Sequence, residues 1–285
     1  MNPNTDKTEL RIAALQMNSG ADVAANIAAI EAGVTQAAAS GVRLLLLPEN
    51  ALFMGAKERD KLAVAEDFKA GPCQQRMADL AREHRIFLVC GAFPLKLADE
   101  PERVTQSLLV YGPDGELRLR YDKLHLFDVV LADGSEYKES RLFRAGQAQP
   151  GCFDCDGVQV GVSICYDLRF PELYRELAAQ GAEILLVPAA FTWPTGQAHW
   201  EVLLRARAIE NLTCVVAANQ CGLHPNERSS WGHSMMVGPW GEILAEAEDS
   251  PGLIVANFDR AALVQRRREF PVLEHRRLTC GSAQA

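Results

Sequence analysis

The chain has no excess of basic residues: 29 lysines and arginines stand against 37 acids, for a net charge of −8. Phosphate backbones bind where Lys and Arg accumulate, so this balance argues against a nucleic-acid partner. No apolar run approaches the roughly 20 residues that cross a bilayer, so no membrane partner is expected. The first residues, MNPNTDKTEL, hold no apolar stretch, and residues 1–8 read as a loose leader rather than a secretory signal. The expected location is therefore the cytoplasm. The eight cysteines are scattered, and a long chain without a signal is not expected to use a disulfide framework. Cys152 and Cys155 make one C-x-x-C match, but no second pair stands at zinc spacing and no suitable helix follows, so no metal or redox centre is expected there. No Gly/Ser/Pro-rich linker divides the chain, so residues 9–277 read as a single domain and 278–285 as a tail.

What is present is apolar and periodic. Hydrophobic residues make up 48% of the 285, enough for a large core. In the N-terminal half, ELRIAALQM (9–17) reads as a strand, 21–39 as a helix, VRLLLLP (42–48) as a strand covered on both faces, 74–85 as a helix and IFLVCGAF (86–93) as a strand. VTQSLLVYG (104–112) and ELRLRYD (116–122) flank Pro113-Asp114-Gly115, a hairpin signal. The C-terminal half echoes this order: strand GVQVGVSIC, helix PELYRELAAQ (171–180), strand EILLVPAA (183–190), helix 197–211, strand TCVVAANQ (213–220) and hairpin HSMMVGPWGEILAEA. GPDGEL (112–117) matches GPWGEI (238–243), and Pro48 and Pro188 close similar runs. The two offsets are unequal, which fits similar halves with different insertions rather than a strict repeat. Two such halves packed sheet to sheet give an α/β fold, a four-layer αββα sandwich with two mixed sheets and internal pseudo-symmetry.

Three chemically distinct groups stand where apolar strands run out: Glu49 after VRLLLLP, Lys123 after ELRLRYD and Cys165 after VQVGVSI. Ligands in α/β folds gather at the carboxyl ends of strands. Each group alone has a plain structural reading, as a buried thiol, a strand-end acid or a strand-end lysine. Together they supply what an amide needs to be split through a thioester. Cys165 is the candidate nucleophile, Glu49 the candidate general base and acid, and Lys123, with the backbone N–H of Tyr166, the candidate stabiliser of the oxyanion.

The segments LPEN around Glu49, KLHLFD around Lys123 and CYDLRFPELYR around Cys165 resemble the three signature segments of the nitrilase superfamily of carbon–nitrogen hydrolases. The resemblance covers roughly residues 9–277. It implies an αββα sandwich, a Glu–Lys–Cys triad, no metal and no organic cofactor, and a homodimer or higher homo-oligomer. It also implies a second glutamate, which matches Glu139 in SEYKESRLFRAG and would orient Lys123. FTWPTGQAHWEVLLRARAIEN, NQCGLHPNERSSWGHSMMVGPWGE and FPVLEHRR are similar to the deaminated-glutathione amidase branch, with Gly238 standing where that branch usually has Asp. The substrate so implied is a small, anionic amide, deaminated glutathione, cleaved to 2-oxoglutarate and cysteinylglycine. An omega-amidase acting on 2-oxoglutaramate and a non-catalytic binding member are the alternatives.

An anionic substrate in an acidic chain needs local cations and donors. Arg169, four residues after Cys165, is the candidate for a substrate carboxylate. Thr192, Thr195 and His199, near the end of EILLVPAAF, are candidate donors, although Thr195 reads equally as a helix N-cap and His199 as a packed helix histidine. Arg205 and Arg207 read as part of a charged helix face with Glu201 and Glu210, and Arg266-Arg267-Arg268 as a solvated helix end.

Overall fold

The computed structural model describes residues 9–278, apart from 131–133, 135 and 148. The leader at 1–8 and all of the tail but residue 278 lie outside the described residues. The first half of the chain runs β1 (Glu9–Gln16), α1 (Val23–Ala39), β2 (Leu44–Leu46), α2 (Lys61–Val64), α3 (Pro72–His84), β3 (Phe87–Lys96), β4 (Val104–Tyr111) and β5 (Leu117–Asp122). A short pair, β6 (Asp128–Val130) and β7 (Glu136–Lys138), follows. The second half runs β8 (Gly151–Cys155), β9 (Val158–Val162), α4 (Pro171–Ala179), β10 (Ile184–Ala189), α5 (Trp193–Asn211) and β11 (Cys214–Asn219). It ends with β12 (Cys221–Leu223), β13 (Ser229–Trp231), β14 (Met235–Val237), β15 (Ile243–Glu246), β16 (Gly252–Asp259) and α6 (Arg260–Glu269).

Two six-stranded sheets result, ordered β16-β1-β2-β3-β4-β5 and β15-β14-β11-β10-β9-β8. In the first, β1, β2 and β3 are parallel, β4 and β5 add an antiparallel hairpin, and β16 pairs antiparallel with β1. In the second, β9, β10 and β11 are parallel, β14 and β15 form the hairpin, and β8 is the antiparallel outer strand. The halves therefore share one plan. Their turns match in detail: Gly112 N–H donates to Glu116 O at 2.9 Å, and Gly238 N–H to Glu242 O at 2.8 Å. A side chain at Gly238 would collide with the Glu242 carboxylate, so an Asp there would require the Glu242 side chain to swing aside.

The layers follow from strand periodicity. Leu45 and Leu47 share a core with Ile30 and Val34 of α1 and Met77 and Leu80 of α3. Leu44 and Leu46, on the opposite face, share a core with Val160, Val162 and Leu186 of the other sheet and with Leu177 and Leu204 of α4 and α5. The helices begin where local chemistry permits. Asp22 caps α1, accepting from Ala24 N and Ala25 N at 2.9 and 3.1 Å. Pro171 opens α4. Helix α5 starts at Trp193, earlier than the expected 197, because Pro194 falls in its first turn, where no N–H is missed. Thr192 therefore holds the N-cap position and Thr195 lies inside the helix.

Two arginines also depart from expectation. Arg207 is buried at 5% exposure rather than on a solvated face. Arg267 turns inward from the basic run to donate to Leu212 O at 3.0 Å and Ala182 O at 2.8 Å. Cys152 and Cys155 both lie on β8, where residues three apart point to opposite faces and cannot grip one ion together.

The sheets approach each other closely at Gly91, within the irregular stretch of β3. A Cβ there would lie 2.5 Å from Pro188 Cβ of β10, 2.6 Å from Pro48 O and 2.8 Å from Leu47 O, all parts with little room to yield. Gly91→Ala is expected to lower stability by about 1–3 kcal/mol, read as a shift in the urea unfolding midpoint. An unchanged midpoint would contradict this account of the sheet contact.

Candidate active site

Glu49 follows β2 and Pro48, Lys123 follows β5, and Cys165 follows β9. The fold brings all three together at one edge of the stacked sheets. Lys123, 1% exposed, donates from Nζ to Glu49 Oε1 at 2.9 Å and to the two Glu139 oxygens at 3.0 and 2.9 Å. Glu139 is held in turn by Phe127 N–H at 2.7 Å. Glu49, 2% exposed, accepts a second bond from Gln106 Nε2 at 2.8 Å, and its backbone carbonyl accepts from Gln220 Nε2 at 3.0 Å.

Cys165 opens a short 3-10 turn, Cys165–Arg169, in the left-handed region at φ 46°. A side chain pays for that conformation, so the turn must be held from outside. Asp167, fully buried, does much of the holding. Its carboxylate accepts from Ile164 N at 2.9 Å, Tyr121 OH at 2.8 Å and His125 N at 3.0 Å, and lies 2.7 Å from His125 Nδ1. Arg207 completes the clamp by donating to Leu168 O from Nε and Nη2 at 3.1 and 2.7 Å. The sulfur also receives a hydrogen bond from the backbone of Ala190, just past β10.

The charges interlock. Burial opposes the Lys123 ammonium, but Glu139 and Glu49 outweigh it and hold its pKa well above the ordinary lysine value. Burial raises the Glu139 carboxyl, opposed by Lys123 and reinforced by Glu49. Burial, then the Glu49 charge, pushes the Cys165 thiol well above the ordinary cysteine range, with Lys123 pulling the other way. At rest the sulfur is therefore a thiol with a carboxylate beside it. Such an arrangement suits a proton transfer that accompanies attack.

A cavity of about 400 Å³ opens over these groups. Glu49, Glu139, Cys165, Tyr166, Arg169, Thr192 and Thr195 all line it, and Lys123 lies behind the two carboxylates. Arg169 makes no ion pair with Glu172 or with any other acid among the described residues. Its guanidinium lies 5.8 Å from the Tyr166 ring centre and 5.4 Å from that of Phe191. His199 departs from expectation: it is exposed on α5, outside the cavity lining, with Nδ1 3.2 Å from Arg169 Nη1. Thr195 Oγ1 is 2.8 Å from Thr192 Oγ1, so the two hydroxyls form one unit at the cavity wall. Asp167, Gln106, Ala190 and the wall residues His224 and Arg228 had been assigned no role from sequence. The last two sit in the CGLHPNER segment, whose composition gave the only hint.

Comparison with known proteins adds four findings. The carbon–nitrogen hydrolase family model matches residues 11–268. The deaminated glutathione amidase of Synechocystis sp. is 42% identical over 265 residues, spanning 93% of this chain and 97% of that protein. The chloroplastic omega-amidase of Arabidopsis thaliana is 34% identical over 280 residues, spanning 96% of this chain and 74% of that protein. Among solved structures, the NitFhit protein of C. elegans superposes with a TM-score of 0.88 at 37% identity, covering 94% of this chain and 65% of that one. The present chain thus spans a little under two thirds of NitFhit.

Two outcomes follow from the electrostatics. At about pH 8, Cys165→Ala is expected to remove no ultraviolet thiolate absorbance, and alkylation of Cys165 should keep accelerating as pH rises past the ordinary cysteine range. A plateau near neutral pH would contradict a raised thiol. Gln106→Leu, which removes a donor to a buried carboxylate without altering the cavity wall, is expected to lower kcat about 10–100-fold with KM little changed. Steady-state kinetics on an amide substrate would read both constants.

Proposed function

The chain belongs to the carbon–nitrogen hydrolase family, and from that premise we propose that it is a cysteine-dependent amidase acting on deaminated glutathione, yielding 2-oxoglutarate and cysteinylglycine. The single observation that carries the chemistry is the buried Glu49–Lys123–Glu139 ion cluster beside a cavity-lining thiol. The substrate comes from likeness to relatives bearing that name, together with Arg169 free of any acid partner in the cavity wall.

In the proposed cycle Glu49 takes the thiol proton as Cys165 sulfur attacks the amide carbon. The oxygen gains negative charge, stabilised by Lys123 and the Tyr166 backbone N–H. The C–N bond then breaks, and the departing amine takes the proton held by Glu49. A thioester remains. Water attacks it, giving one proton to Glu49, and the thiolate leaves and recovers that proton. No net proton or electron is left over. Glu139 fixes the Lys123 ammonium so that its charge does not turn away. Arg169 binds the 2-oxo-acid carboxylate, with Thr192 and Thr195 offering hydroxyls nearby.

The same proposal extends to a homodimer or higher homo-oligomer working in the cytoplasm, with residues 9–277 acting as one unit. Exposed Ile209, Trp240 and Phe270, grouped where α5, the β14–β15 turn and α6 end, support an association surface.

Purified protein should release 2-oxoglutarate from deaminated glutathione with a transient mass increase of one 2-oxoglutaryl group, and Cys165→Ala should lose both. Because 2-oxoglutaramate yields the same acyl group, the substrate is decided by comparing kcat/KM for the two amides. Turnover of 2-oxoglutaramate alone would move the assignment to omega-amidase.

A further inference from the structure

Four arginines line the cavity, and they fall into two kinds. Arg59 is paired with Glu102, and Arg141 lies 3.3 Å from Glu136. Arg169 and Arg228 have no carboxylate partner among the described residues. Glu58, the acid whose charge is felt by Arg228, is already paired with Lys61 at 2.8 Å. In a chain of net charge −8, two half-buried guanidiniums in one cavity wall with no carboxylate partner among the described residues offer an anion open N–H donors.

Their placement is ordered. Arg169 stands over the Tyr166 ring; Tyr166 meets Phe127 edge-on at 5.0 Å between centres; Phe127 meets Tyr137 at 5.0 Å; and Arg228 lies 4.0 Å from the centre of Tyr137. The two cations thus end a continuous aromatic wall. Cys165 adjoins Tyr166 in the chain, the ring at the Arg169 end of this wall. A bound chain whose short acyl part sits at Arg169 reaches Arg228 by running its amine part along this wall. A tripeptide-sized chain spans about 10 Å when extended, the scale of two ring contacts.

Arg228 is also pre-positioned. Its backbone closes the β12–β13 turn, with N–H to Asn226 Oδ1 and carbonyl to His224 N, both at 3.0 Å. The buried His224 ring pins that turn through Ser19 O at 3.1 Å and Ser230 Oγ at 2.9 Å. The guanidinium donates one bond, from Nη2 to Glu136 O at 3.1 Å, and keeps other N–H groups for a ligand.

Building on the function proposed above, we infer that Arg228 is a specificity residue that binds a carboxylate on the departing amine, so the preferred substrate is an amide with an anion on each side of the scissile bond. Arg169 takes the acyl-side anion and Arg228 the amine-side anion. Ammonia as leaving group makes no use of Arg228.

The test compares three amides in the intact enzyme: deaminated glutathione, its C-terminal glycinamide, and 2-oxoglutaramate. Unaltered enzyme should favour the free acid over the glycinamide, and Arg228→Gln should lower kcat/KM for the free acid by about 10–100-fold. The glycinamide and 2-oxoglutaramate should change less than about two-fold in that variant, and Arg228→Lys should keep part of the preference. An equal loss on all three amides would assign Arg228 to holding the Glu136–Lys138 strand and overturn the inference, as would no loss on any. Absence of free-acid preference in the unaltered enzyme would also overturn it, while leaving the amidase assignment intact. Failure of the unaltered enzyme to cleave deaminated glutathione would instead overturn the substrate assignment, and this inference with it.

Discussion

One buried ammonium organises this molecule's chemistry. Lys123 is almost wholly removed from water and meets two carboxylates within 3.0 Å. Taking three charges out of water costs several kcal/mol per ion, and replacing such a cluster by apolar groups often stabilises a protein. Stability is therefore a weak reason for its presence. The cluster does something an apolar core cannot: it holds a carboxyl group in a fixed place beside a cavity-lining thiol. Remove the lysine and the two acids would repel, shift and take up protons.

Everything around the cluster serves to keep it still. Cys165 sits in the left-handed region, and the strain is held by Asp167 from one side and Arg207 from the other. Gln106 fixes Glu49 at the price of a buried carbonyl oxygen with no partner of its own. The three chemical groups come from three different strand ends, so their separation is set by sheet stacking rather than by any flexible loop. The close contact at Gly91 and Pro188 is part of the same constraint, since it sets how near the two sheets lie at the edge where the site forms.

The apolar runs and the two Gly-Pro turns made the sheets, the layers and the pseudo-symmetry legible in the sequence. Burial on both faces leaves long aliphatic runs, and hairpins leave turn residues, whatever the rest of the chain does. Strand β16 was not legible, because its partner β1 lies at the other end of the chain and pairing carries no local mark. The three-residue strands β6, β7, β12 and β13 escaped for lack of length. At the site, the strand-end groups could be read because a carboxylate or an amine after an apolar run is locally anomalous. Asp167 and Arg207 could not, because they resemble surface residues until tertiary partners bury them. His199 was misplaced for a related reason: nearness to a strand end does not reveal which face of α5 meets the cavity.

Charge also bears on what can enter. The cavity wall carries Glu49, Glu58, Glu136 and Glu139, and a neutral thiol adds nothing positive, so an anionic amide faces repulsion on approach. Two of these acids are committed to Lys123, one to Lys61 and one to Arg141, which confines their fields to short range. That leaves Arg169, Arg228 and Lys138 to set the potential an incoming ligand meets. Cations without carboxylate partners among the described residues, set in a wall whose acids are already paired, give a site that draws anions in. An acidic chain and an anionic ligand are thus compatible, because attraction depends on the few charges left uncompensated where the ligand lies.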